Sequence, residues 1–123
     1  MDARRKAAVL GAGFIGLSLV RRLIGAGAAV AVLDHNPPPA ELAARVRWVR
    51  GEFGDPGAVQ QAIAGADVAF HLISTTVPGD EQVEVSRELS DNIFATLRFL
   101  ELCDRLAVPR VVFASSSSVY GLQ

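Results

Sequence analysis

Apolar and polar positions change their period several times along this chain, and the changes mark element boundaries. Lys6–Leu10 is a short apolar run, Phe14–Ala26 carries apolar residues at helical spacing, and Ala28–Leu33 is again a short run, β-branched in part. Within the helical stretch Ile15, Leu19 and Leu23 repeat every four residues and are expected to line one face, which Leu17, Val20 and Ile24 widen against a sheet. Gly25 and Gly27 end that helix. After Asp34-His35-Asn36, the run Pro37-Pro38-Pro39 forces an extended turn, because proline fixes its own φ and restrains the residue before it.

The same alternation continues toward the C-terminus. A short helical piece is expected at Ala40–Arg45, a third strand at Val46–Val49, a helix at Pro56–Ala64 and a fourth strand at Asp67–Ile73. A long helix is expected from Gln82 to Ala107, with Leu89, Ile93, Leu97 and Leu100 at three- and four-residue spacing. Pro109 bars its continuation into a fifth strand at Arg110–Ala114. Strands that alternate with helices pair in parallel through right-handed crossovers and are covered on both faces. The expected fold is therefore an α/β, three-layer, doubly wound sheet of strand order 3-2-1-4-5.

Candidate chemistry begins where the first strand meets the first helix. Gly11-Ala12-Gly13-Phe14-Ile15-Gly16 has the G-x-G-x-x-G spacing of a Rossmann-type dinucleotide site. In such a turn the first glycine permits the tight bend, the second lets a diphosphate approach the backbone, and the third lets helix and strand pack closely. Asp34, at the tip of the second strand, is suited to accept hydrogen bonds from the adenosine ribose hydroxyls and to repel a 2′-phosphate, which favours NAD over NADP. No arginine directly follows Asp34; the next in sequence is Arg45, beyond the prolines.

Composition narrows the setting. The chain has 123 residues, half of them apolar, which suits one domain with a continuous core. Its 12 basic and 13 acidic side chains nearly cancel, so no broad field attracts nucleic acid or an anionic membrane surface. A single cysteine, Cys103, cannot form an internal disulfide, and no metal-ligand cluster is visible; a cytoplasmic location is expected. Arg4, Arg5 and Lys6 ahead of apolar Ala7–Val20 superficially resemble a secretory leader. The three spaced glycines, and Arg21-Arg22 where a small-residue cleavage site belongs, argue against that reading.

These motifs, with Gly51-Glu52-Phe53-Gly54-Asp55, His71-Leu72-Ile73-Ser74, Asn92 and Val112-Phe113-Ala114-Ser115-Ser116-Ser117-Ser118-Val119-Tyr120-Gly121, resemble the N-terminal part of an extended short-chain dehydrogenase/reductase. More narrowly, they resemble the NAD-dependent epimerase/dehydratase family, which acts on nucleotide sugars. The resemblance implies that Gly11, Gly13, Phe14, Ile15, Gly16, Asp34, His35 and Asn36 hold NAD. It further implies that Glu52 stands where an aspartate usually meets the adenine amino group, with Phe53 packing by the ring. Leu72, Ile73 and Ser74 would pass the pyrophosphate and nicotinamide ribose, Asn92 would support the active-site backbone, and Ser115 would lie near the nicotinamide. Ser116 matches the catalytic serine or threonine that hydrogen-bonds the reacting sugar oxygen. His71 reads as a partly buried strand residue, and Tyr120 as part of a Val-Tyr-Gly turn.

The catalytic tyrosine of such enzymes opens a Tyr-x-x-x-Lys motif, which does not occur before Gln123, and Lys6 is the only lysine. The reading is thus of residues 1–123 as a dinucleotide-binding domain from a longer parent, without its substrate-binding lobe. The parent is expected to bind a nucleotide sugar; the alternative is a dinucleotide-binding or redox-sensing module without turnover. Apolar faces that family members cover, or use for dimerisation, lead to an expectation of self-association or a homodimer.

Overall fold

The computed structural model describes residues 4–73 and 89–115. Strands β1 (Lys6–Leu10), β2 (Ala29–Asp34), β3 (Arg47–Arg50), β4 (Val68–His71) and β5 (Val111–Phe113) form one parallel sheet in the order β3-β2-β1-β4-β5. Helices α1 (Phe14–Gly25), α2 (Pro56–Ile63) and α3 (Ala95–Arg105) connect them, and a π-helical turn, Leu89–Phe94, leads into α3. The strand order is the one expected from the alternating pattern. Residues 40–45, expected as a short helical piece, form a turn whose Leu42 and Ala43 N–H groups donate to the Pro39 carbonyl.

Central strand β1 is buried from Ala7 to Leu10, as a strand covered on both faces must be. On one side Val9, Val20, Val30, Val32 and Leu42 pack under α1; on the other Leu10, Leu33, Val59, Ile63, Phe99 and Leu102 pack under α2 and α3. Asp55 caps α2 by accepting from the Gly57 N–H at 3.0 Å, and Pro56 opens the helix, where its missing N–H costs nothing.

One expectation about a helix face is corrected. Ile15 is 67 % exposed; Gly16 and Val20 form the buried line of α1, because the close contact of Gly16 with Gly11 fixes the helix rotation. In α3 the buried line is Ala95, Phe99, Leu102 and Cys103, whereas Leu97 and Leu100, and Ile93 in the turn before the helix, are exposed. Both stripes have helical spacing, and packing selects the one carrying Phe99 and the smaller side chains.

The ends of α1 and α3 share one construction. In each, the second residue beyond the last helical turn is left-handed, Gly27 at φ +88° and Ala107 at φ +55°, and the N–H groups there and one residue on return to the helix. Gly27 and Ala28 donate to Ile24 and Leu23; Ala107 and Val108 donate to Asp104 and Cys103. Among the described residues no helix is long and apolar enough to cross a membrane.

Candidate cofactor site

The C-terminal ends of β1, β2 and β4 meet where β1 turns into α1. Gly11 N–H donates to the Leu33 carbonyl at 2.9 Å, and Leu72 N–H donates to the Leu10 carbonyl at 2.9 Å, so the turn is fastened to the strand on each side. Its three glycines have three different surroundings. Gly11 has φ +102°, and a Cβ there would lie 2.9 Å from Ile73 Cγ1 and 3.0 Å from the Leu72 carbonyl oxygen. A Cβ on Gly16 would lie only 1.9 Å from the Gly11 carbonyl oxygen, so any side chain forces helix and strand apart. Around Gly13 a Cβ would meet nothing within 4 Å among the described residues, which leave the space above the backbone open.

Gly13 is the N-cap of α1, with no side-chain cap and no acidic residue in the first helical turn. The helix thus presents main-chain N–H groups and the positive end of its dipole, uncompensated by a side chain, to that open space. Phe14 and Ile15 flank it and are exposed. An anionic diphosphate fits this combination of a bare glycine cradle and a helix N-terminus.

Asp34 sits one strand away, and both of its carboxylate oxygens are engaged. Oδ2 accepts from Ala12 N–H at 2.7 Å and Oδ1 accepts from Asn36 N–H at 2.8 Å. The carboxylate therefore ties the glycine turn to the end of β2 and keeps further lone pairs for hydroxyl donors. The loop that carries it is itself fastened from β3: Trp48 Nε1–H donates to the Asn36 carbonyl at 2.9 Å and Arg50 Nε–H donates to the His35 carbonyl at 3.2 Å. Reading along the sequence missed Arg50, the arginine that parallel pairing sets opposite Asp34. The role of Ala12 N–H was equally invisible.

Glu52 is exposed just beyond β3, where a cofactor contact is open to it. Phe53 is 9 % exposed and packs against His71 and Phe99, with ring centroids 4.7 and 5.8 Å away, so its side chain joins the core. Leu72 and Ile73 are half-buried and form a wall of the turn. Asn92 is half-buried in the π-helical turn, and Ser115 is exposed after β5, its neighbour Ala114 donating to the His71 carbonyl. Ser74, Ser116 and Tyr120 lie outside the described residues.

The family model for the NAD dependent epimerase/dehydratase family matches residues 7–123. The chain belongs to that family. Among its relatives, D-erythronate dehydrogenase of Cupriavidus necator is 36% identical over 92% of this chain and 39% of its own length. The solved structure of MoeE5 with UDP-glucose and NAD is 34% identical, with a TM-score of 0.81 over 97% of this chain and 38% of that one. A short-chain dehydrogenase/reductase superfamily protein from Agrobacterium tumefaciens, solved with bound NAD, is 29% identical, with a TM-score of 0.78 over 95% of this chain and 34% of that one. The chain thus spans between a third and two fifths of the length of these relatives. Family membership and fold agree with the dinucleotide reading of the glycine turn, and the family's own description carries NAD.

Proposed function

We propose that this chain binds NAD and forms the cofactor half of an enzyme that oxidises or epimerises a hydroxyl-bearing carbon of a sugar-like substrate. The observation that carries the reading is the threefold division of labour among Gly11, Gly13 and Gly16, with open space above Gly13 alone. When bound, NAD supplies the hydride acceptor for such a carbon. The chain's own residues position it: the first turn of α1 faces the diphosphate, and Asp34 accepts from the adenosine ribose hydroxyls and repels a 2′-phosphate. Glu52 supplies an acceptor for the adenine amino group, and Leu72, Ile73 and Ser74 border the nicotinamide side with Ser115. Ser116 hydrogen-bonds the reacting oxygen, and Asn92 supports the backbone around it.

For the substrate, a nucleotide sugar is the family-level reading, supported by a relative solved with UDP-glucose and NAD. The 36% identity to D-erythronate dehydrogenase favours a second reading, a free sugar acid. The test is thermal unfolding with NAD added, followed by saturation-transfer NMR of UDP-glucose and of D-erythronate in its presence. NAD is expected to raise the melting temperature in a concentration-dependent way, since a ligand of the folded state alone stabilises it. A melting temperature indifferent to saturating NAD would overturn the cofactor reading, and transfer to one substrate only would choose between the two classes.

A further inference from the structure

His71 takes no part in the cofactor contacts above, yet it is the one buried polar or charged side chain among the described residues, at 3 % exposure. Both ring nitrogens are engaged. Ile73 N–H donates to Nδ1 at 3.3 Å, which leaves the proton of the neutral ring on Nε2, where it is donated to Thr96 Oγ1 at 2.8 Å. Phe53, Phe99 and Phe113 box the ring edge-on, with centroids 4.7, 5.5 and 5.0 Å away. The Nδ1 bond turns the chain just after β4 and sends Leu72 and Ile73 past Gly11, within the distance that forbids a side chain there.

We infer that His71 is a positioning residue for the cofactor turn: as the Nε2–H tautomer it fastens the exit of β4 to α3 through Thr96 and holds the main chain of Ile73 against Gly11. The inference rests on the glycine turn being a dinucleotide site. It also gives the site a pH dependence. Among the described residues, the side chains that face the ring, Phe53 from the loop after β3, Thr96 and Phe99 from α3 and Phe113 from β5, carry no titratable group. Burial holds the imidazole below its ordinary value. Protonation places an N–H at Nδ1 facing the Ile73 N–H, two donors in contact, and loosens the wall.

The sign follows from the direction of the shift. As the pH falls, the unfolded chain takes up the proton first, so the stability contributed by the neutral ring is complete above about pH 7 and is lost as the pH falls through about 6.5 toward the lowered value of the folded state.

The experiment compares wild type with Thr96→Val, Thr96→Ser and His71→Asn. It reads ring ¹⁵N shifts, amide exchange at Ile73 without dinucleotide, and NAD affinity at about pH 7.5 and about pH 5.5, on either side of the ordinary histidine value. Expected are the Nε2–H tautomer in wild type and faster Ile73 exchange in Thr96→Val. NAD binding should be about five- to tenfold weaker in that variant, the worth of one hydrogen bond, with recovery in Thr96→Ser. His71→Asn, which keeps an acceptor near the Nδ1 position, should bind NAD with less dependence on pH than wild type. The Nδ1–H tautomer, or Ile73 exchange in Thr96→Val equal to wild type, would overturn the inference whether or not NAD binds. Loss of NAD binding in wild type with both those signatures intact would instead remove the dinucleotide reading and, with it, the role in the cofactor turn.

Discussion

The two ends of the sheet are built to different standards. At the β3 end, the edge strand Arg47-Trp48-Val49-Arg50 is bracketed by arginines, one of which reaches back to fasten the Asp34 loop, and α1 closes on a left-handed glycine. At the β5 end, the edge strand Val111-Val112-Phe113 has no charged residue, Ile93 of the π-helical turn and Leu97 and Leu100 of α3 are exposed as a second apolar stripe, and the helix closes on a left-handed alanine. Charged edge strands resist pairing with other chains, and bare apolar ones invite it. The cofactor turn is fastened from its neighbours on both sides, while the far end presents exposed apolar side chains.

The largest effect should come from disturbing the fastened end. Gly16→Ala puts a methyl group 1.9 Å from a carbonyl oxygen, and a backbone shift is unavoidable. Denaturant unfolding should show a loss of about 3 kcal/mol or more, the upper range of overpacking. Gly13→Ala is the sharpening control: with nothing within 4 Å of the new methyl group, the fold should lose no more than about 1 kcal/mol, the cost of alanine at an N-cap, while NAD binding drops. Equal unfolding curves for the two variants would break the assignment of separate roles.

Next in size is Asp34→Ala, which releases the Ala12 and Asn36 N–H groups at once. A loss of about 2 kcal/mol is expected, with any preference for NAD over NADP abolished, read by chemical denaturation and calorimetry. A preference that survived would mean that the carboxylate does not set it.

At the β5 end, Leu97→Lys combined with Phe113→Lys should leave stability within about 1 kcal/mol, because both side chains are already mostly exposed, at 53% and 59%. Self-association, measured by sedimentation velocity, should fall; a wild type that is a clean monomer at high concentration contradicts the reading of this surface. The smallest effect is Ala107→Gly, expected to raise stability by about 0.5–1 kcal/mol by relieving the positive φ. Cys103 belongs to the packed interior: burial pushes its thiol up to about 11, and it should resist thiol reagents in the native protein.

What the sequence made legible follows the same division. Period and punctuation located the five strands of the sheet and their order, and the spacing of Gly11 and Gly16 pointed to the tight bend and the close helix–strand contact that the geometry has there. The face of α3 was not legible, because Leu97–Leu100 and Phe99–Leu102 are equally good helical stripes and only the packing partners choose. The core contacts of Phe53 were hidden for a related reason: position in a motif fixes the backbone path, whereas the side chain packs against His71 and Phe99, far along the chain. Arg50 and Thr96 act through register and through space, 16 and 25 residues from Asp34 and His71 respectively, where no local pattern points to them.

Side-by-side calorimetric titration of the wild-type chain with NAD and NADP tests the central claim most directly, since it asks the glycine turn and Asp34 to act together. The account predicts that NAD binds at least about tenfold more tightly, a difference of about 1.4 kcal/mol. NADP binding as tightly as NAD, or more tightly, to the folded chain would contradict it.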